Sequence, residues 1–106
     1  MLKKINEDLF KAIETEDSSA IADLITEGAE LDARDAFDYT PLHAAAVMDN
    51  PEICTMLIKA GADTQAKVNN KTPAQFALES LCTECYNFLM KYDNEKQNKG
   101  GVKNGK

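Results

Sequence analysis

Histidine is almost missing from this 106-residue chain: His43 stands alone. A single histidine excludes a dyad built on two and most zinc sites, which draw on several imidazole or thiolate ligands. Cysteine is scarce as well, and the count of three is odd. An odd set with no secretory signal does not suggest a disulfide framework, so an intracellular, reduced, cytoplasmic setting is expected. The amino terminus carries Lys3 and Lys4 with no apolar stretch behind them, which argues against such a signal. Nowhere do 18 apolar residues run together, so no membrane span is expected. Excess positive charge is lacking too. The net charge is −6, and residues 92–106 hold four lysines against Asp93 and Glu95, so the first 91 residues carry −8. A body that acidic repels phosphate backbones, and nucleic-acid binding is not expected.

What the chain does have is a repeat. Its length allows one small domain, for which a linear stack of helix pairs is one architecture. Ile25-Thr26-Glu27-Gly28-Ala29-Glu30 recurs as Ile58-Lys59-Ala60-Gly61-Ala62-Asp63, 33 residues later. Leu9 and Ala12 map onto Leu42 and Ala45 at the same spacing. Thr40-Pro41 recurs as Thr72-Pro73 after 32, and Ala45, Leu57 and Lys59 map likewise onto Ala77, Leu89 and Lys91. Three partial copies at one period are the signature of a repeat architecture.

Each copy has a physical logic. Thr40 and Thr72 stand where a helix N-cap would accept a backbone N–H, and the proline after each costs no hydrogen bond at the first helical position. Thr72-Pro73-Ala74-Gln75 has the spacing of a capping box. A first helix from Pro41 to about Met48 is rich in alanine, which lets a neighbouring helix approach closely. Asp49-Asn50-Pro51 breaks it and starts a second helix through Lys59, along which Ile53, Cys54, Leu57 and Ile58 form one apolar stripe. Gly61 ends that helix in the left-handed conformation that glycine adopts cheaply.

The segment Asp35–Ala46, with its Thr40-Pro41-Leu42-His43, followed by Ile53–Asp63, with its Gly61-Ala62, strongly resembles an ankyrin repeat. The resemblance covers nearly everything from Ile5 to Tyr92. It implies an all-α solenoid of helix-turn-helix repeats with projecting loops, here called fingers. The repeats fall at about 5–34, 35–66 and 67–92, within a domain of residues 1–92. The pattern's glycines are replaced by Asp38 and Asn70 in the fingers and by Asp49 between helices; Asp and Asn tolerate the left-handed region. The first and third copies are degenerate, as capping repeats with water-facing outer faces would be, and the stack is expected to be complete. His43 is expected to be structural, bonding near the threonine of its own motif. Residues 93–106, nearly devoid of apolar side chains, are expected to be disordered or to serve as a basic docking arm.

The resemblance further implies that fingers and first helices form a concave binding surface. Position by position this gives Ala36, Phe37, Tyr39, Ala44, Val47 and Met48 in the middle repeat. Val68, Asn69, Lys71, Phe76, Glu79 and Ser80 follow from the third, and Lys11, Glu14 and Thr15 from the first. The expected partner-binding set is Phe37, Tyr39, Ala44, Val47, Met48, Asn69, Lys71, Phe76 and Glu79. Phe37, Tyr39 and Met48 fall at positions the repeat does not need for its own core, and aromatic and methionine side chains are enriched at interfaces. Alternatively, Phe37 and Tyr39 fold over their own finger and only stabilise it. The expected function is protein–protein interaction, as an adaptor or inhibitor. The chain would be monomeric when free, with no enzymatic activity and no cofactor. The acidic first repeat would suit a partner with a basic surface. A second reading, a redox or metal-binding protein using Cys82-Thr83-Glu84-Cys85, would need a second ligand pair that the sequence does not offer.

Overall fold

The computed structural model describes residues 3–101, with side chains as far as Tyr92. Its helices run in hairpin pairs: α1 (Lys4–Glu14) with α2 (Ser18–Thr26), α3 (Pro41–Val47) with α4 (Pro51–Lys59), and α5 (Pro73–Glu79) with α6 (Thr83–Gly101). The starts are set by side-chain caps. Asp17, Thr40, Asn50 and Thr72 each accept a backbone N–H from the residue three positions on. Thr72 and Gln75 complete the expected capping box, satisfying two N–H groups that a helix start leaves unpaired. Helix α6 runs on past the point where α4 stops. Position 93 is aspartate where the middle repeat has Gly61, so the glycine that adopts the α4-ending left-handed turn at least cost is missing there. The polar segment beginning at residue 93 is thus entered by α6 as far as Gly101, and the rest of it lies outside the described residues.

The first helices stack side by side, α1 on α3 and α3 on α5, while α6 packs on α4. Leu9, Ile13, Ile21, Leu42, Ile53, Leu57 and Leu89 are essentially fully buried between them, with Ala45, Ala46 and Ala77 at the close approaches. Each large aliphatic side chain so buried contributes about 1.5–3 kcal/mol. The stripe of Ile53, Cys54, Leu57 and Ile58 is buried as the periodicity requires.

Polar links join one repeat to the next. His43 is fully buried; its Nδ1 lies 2.6 Å from Thr40 Oγ1, and its Nε2 lies 2.9 Å from the Lys71 carbonyl in the next finger. Thr40 Oγ1 already accepts the His43 backbone N–H, so its proton is available to Nδ1. A neutral ring, with Nδ1 accepting from Thr40 and Nε2–H donating to the Lys71 carbonyl, satisfies both contacts. Burial holds its pKa below the usual imidazole value. The Glu16 carboxylate accepts from Asn50 Nδ2, and Asp49 Oδ1 accepts from the Cys85 N–H at the start of α6.

The three turns between paired helices share one backbone solution. Glu16, Asp49 and Leu81 all adopt positive φ, at 56°, 54° and 61°. Asp38 and Asn70 do the same at the finger tips, in place of the pattern's glycines. The end of the third repeat departs from the expected polar cap. Leu78, Leu81 and Met90 are 51%, 83% and 39% exposed, whereas Ala46 and Ile58, at the positions of Leu78 and Met90 in the middle repeat, are buried by the repeat that follows.

Candidate functional site

The middle finger is built around Asp35. Its Oδ1 accepts the backbone N–H groups of Phe37 and Tyr39, while the Asp35 N–H donates to the Tyr39 carbonyl. Arg34 donates to the carbonyl and the carboxylate of Asp38, bracing the left-handed tip. This folding turns Phe37 outward, 78% exposed, and lays Tyr39 back toward the stack. Tyr39 meets Phe76 edge-on with ring centroids 5.1 Å apart, and Phe76 meets His43 in the same way at 4.7 Å. Phe37 and Tyr39 are 6.3 Å apart and tilted.

Of the depressions that border the fingers and first helices, two hold the residues expected to bind a partner. The first, of about 300 Å³, opens between α1 and the middle repeat; Phe10, Ile13, Phe37, Tyr39, Ala44, Val47 and Met48 line it, with Glu14 and Asp35 as its carboxylates. The second, of about 160 Å³, lies between the middle and third repeats. Tyr39, Val47, Asn69, Lys71, Phe76, Glu79 and Ser80 line it, and a 2.7 Å ion pair joins Lys71 to Glu79. All nine residues of the expected partner-binding set border one depression or the other. Phe10 and Ile13 were not in that set, because an apolar residue on a helix stripe reads as core; Phe10 and Ile13 are buried and still reach the cavity floor.

Some individual expectations need correcting. Val68 does not belong to the exposed face: it is 1% exposed, and its backbone pairs with Lys71 in both directions to close the third finger. Phe37, Tyr39 and Met48 are not equivalent. Only Phe37 stands clear; Tyr39 is half-buried on Phe76, and Met48 is half-buried against the core.

The cysteines are brought together inside the molecule. Cys54 and Cys85 have their sulfurs 3.7 Å apart and no exposure, and the Cys82 thiol donates to the Val47 carbonyl at 3.5 Å. The Cys54 contact and burial push the Cys85 thiol up, and burial does the same to Cys82. Burial denies reagents access to all three sulfurs, and the raised pKa of Cys82 and Cys85 opposes thiolate formation there, the behaviour of packing residues. Among the described residues no group of three or more His, Cys, Asp or Glu side chains could hold a metal ion. None of the described helices is long and apolar enough to cross a membrane.

The family model for ankyrin repeats in three copies matches residues 9–99. The chain belongs to the ankyrin repeat family. Fem-1 homolog C of Homo sapiens is 41% identical over 56 residues, covering 53% of this chain and 9% of that protein. Fem-1 homolog A of Danio rerio is 48% identical over 50 residues, covering 46% of this chain and 8% of its own length. A putative ankyrin repeat protein of fowlpox virus is 28% identical over 95 residues, 87% of this chain and 16% of the viral protein. The chain thus spans only a small part of the length of these relatives. Ankyrin repeats generally mediate protein–protein interaction. Within this ankyrin stack, the fingers and first helices carry the two depressions described above.

Proposed function

We propose that this chain is a protein-binding module whose docking surface is the finger and first-helix face, acting as an adaptor or as a small inhibitor that covers a partner's functional surface. The observation that carries this reading is Phe37. An aromatic ring 78% exposed at the lip of an apolar cavity is costly in water and suits desolvation by a partner. The partner-binding residues are Phe37, Tyr39, Ala44, Val47 and Met48, extended by Asn69, Lys71, Phe76 and Glu79. The chain does no chemistry of its own and works inside the cell as a monomer until it meets its partner. Nine carboxylates in residues 5–34 against Lys11 and Arg34 favour a partner with a basic surface.

Affinity capture from the native cell, run side by side with Phe37→Ala, tests this. The wild type retains a protein that the variant loses, while helical circular dichroism and melting temperature stay the same, because Phe37 contributes little to the fold. Retention of the same proteins by both forms would remove this face from consideration.

A further inference from the structure

The geometry points to a specific occupant for the first depression: a polypeptide segment that inserts one bulky aliphatic or aromatic side chain and places a lysine or arginine beside it. This rests on the protein-binding reading above and narrows it from a face to a single anchor.

The cavity's size sets the first half of the argument. About 300 Å³ is at the low end of the range occupied by small ligands, room for one or two large side chains and too little for a folded element. Its floor and walls are Phe10, Ile13, Ala44, Val47 and Met48, apolar on both the α1 and the α3 side. A side chain entering there exchanges water for carbon on several sides, which is the setting in which one anchor residue carries most of an interface's binding energy. Position 44 holds the cavity open. In the third repeat the matching position is Phe76, whose ring packs between Tyr39 and His43 and fills the space that Ala44 leaves vacant.

Charge sets the second half. Glu14 on α1 and Asp35 at the base of the finger both line the cavity. Asp35 uses Oδ1 to hold the finger, and its charge is not cancelled by the two backbone N–H groups it accepts. No described side chain makes an ion pair with Glu14 or with Asp35. An apolar anchor flanked by a cation satisfies both features of the site, whereas a flanking carboxylate would be repelled on entry. The second depression lacks this character, since its own lysine and glutamate neutralise one another.

The test is an array of 12-residue peptides in an alanine and serine background. The central residue is varied through all side chains, and its neighbours through lysine, alanine and glutamate. The full chain is the probe, and peptides it retains are measured by fluorescence anisotropy. Peptides with Leu, Ile, Met, Phe, Tyr or Trp at the centre and lysine alongside are expected to bind, and those with glutamate alongside are not. Ala44→Leu fills the cavity and weakens binding tenfold or more. Glu14→Lys, an exposed change that leaves the core untouched, removes the preference for lysine flanks, as does raising the salt to about 0.5 M. Retention that ignores the central residue, prefers glutamate flanks, or is unchanged in Ala44→Leu overturns the inference. Loss in Lys71→Glu alone moves the anchor to the second depression: it overturns the inference and leaves the protein-binding reading standing. If the array retains no peptide, the inference fails. The protein-binding reading is then decided separately by the Phe37→Ala capture.

Discussion

The middle and third repeats are built on one backbone plan and carry opposite chemistry at the same positions. Phe37, Tyr39, Ala44, Val47 and Met48 correspond, 32 residues on, to Asn69, Lys71, Phe76, Glu79 and Ser80. The first set lines an open apolar depression, the second a smaller one crossed by an ion pair. The exchange at 44 and 76 is the decisive one: alanine leaves a cavity, and phenylalanine fills its counterpart. The scaffold is thus set by residues that the two repeats share, such as the Thr-Pro start and the buried Ala45 and Ala77. Surface character is set by residues the scaffold does not need. That separation is what lets one fold serve unrelated partners.

The largest effect that probes this contrast is expected from His43, the bridge between the two repeats. His43→Leu removes two buried ring hydrogen bonds, one to the Lys71 carbonyl and one to the Thr40 hydroxyl, which keep only their backbone N–H partners, at a cost of about 2–3 kcal/mol in denaturant unfolding. The same variant tests a pH effect. Because burial lowers the folded-state pKa of His43, the unfolded chain takes up the proton first as pH falls. Stability contributed by the neutral ring is fully present above the unfolded value, about 6.5, and is lost as pH falls through the lower folded value. In His43→Leu that part of the slope disappears. An unchanged slope would show that other groups set it.

Phe76→Ala should cost about 2 kcal/mol, less than a fully buried ring because Phe76 is half-buried. It should also open a second apolar depression, detectable as new binding of a hydrophobic dye. If stability is lost without new dye binding, the third repeat collapses into the gap, and the contrast between the two depressions does not rest on one side chain.

Leu81→Gly gives the smallest shift and the opposite sign. Leucine at φ 61° carries a strain that glycine avoids, and its side chain is 83% exposed, so little packing is lost. A gain of about 1 kcal/mol is expected in thermal unfolding. A loss would mean that the Leu81 side chain contributes contacts worth more than the strain.

Much of the fold could be read from the sequence, because the informative residues are locally decisive. Thr40-Pro41 and Thr72-Pro73 set helix starts, Asn50-Pro51 sets another, and Gly61 ends one, each by its own backbone chemistry. The residues of the finger and first-helix face were legible as positions but not as environments. Nothing local to Val68 shows that a two-way backbone pairing with Lys71 will bury it. Neither does the pair Tyr39 and Phe76 announce itself, because their contact depends on how closely two repeats stack. Leu81 was missed for a related reason. Glycine, asparagine and aspartate advertise a left-handed turn, while leucine is forced into one by its place between α5 and α6.

The buried Cys54 and Cys85 thiols, on α4 and α6 of adjacent repeats, give the molecule an internal clock. A thiol reagent reaches them only in the instants when the last two repeats part, so their labelling rate in native buffer counts those partings directly. A bound partner that clasps both repeats would slow the count, and one that holds the amino-terminal side alone would leave it running.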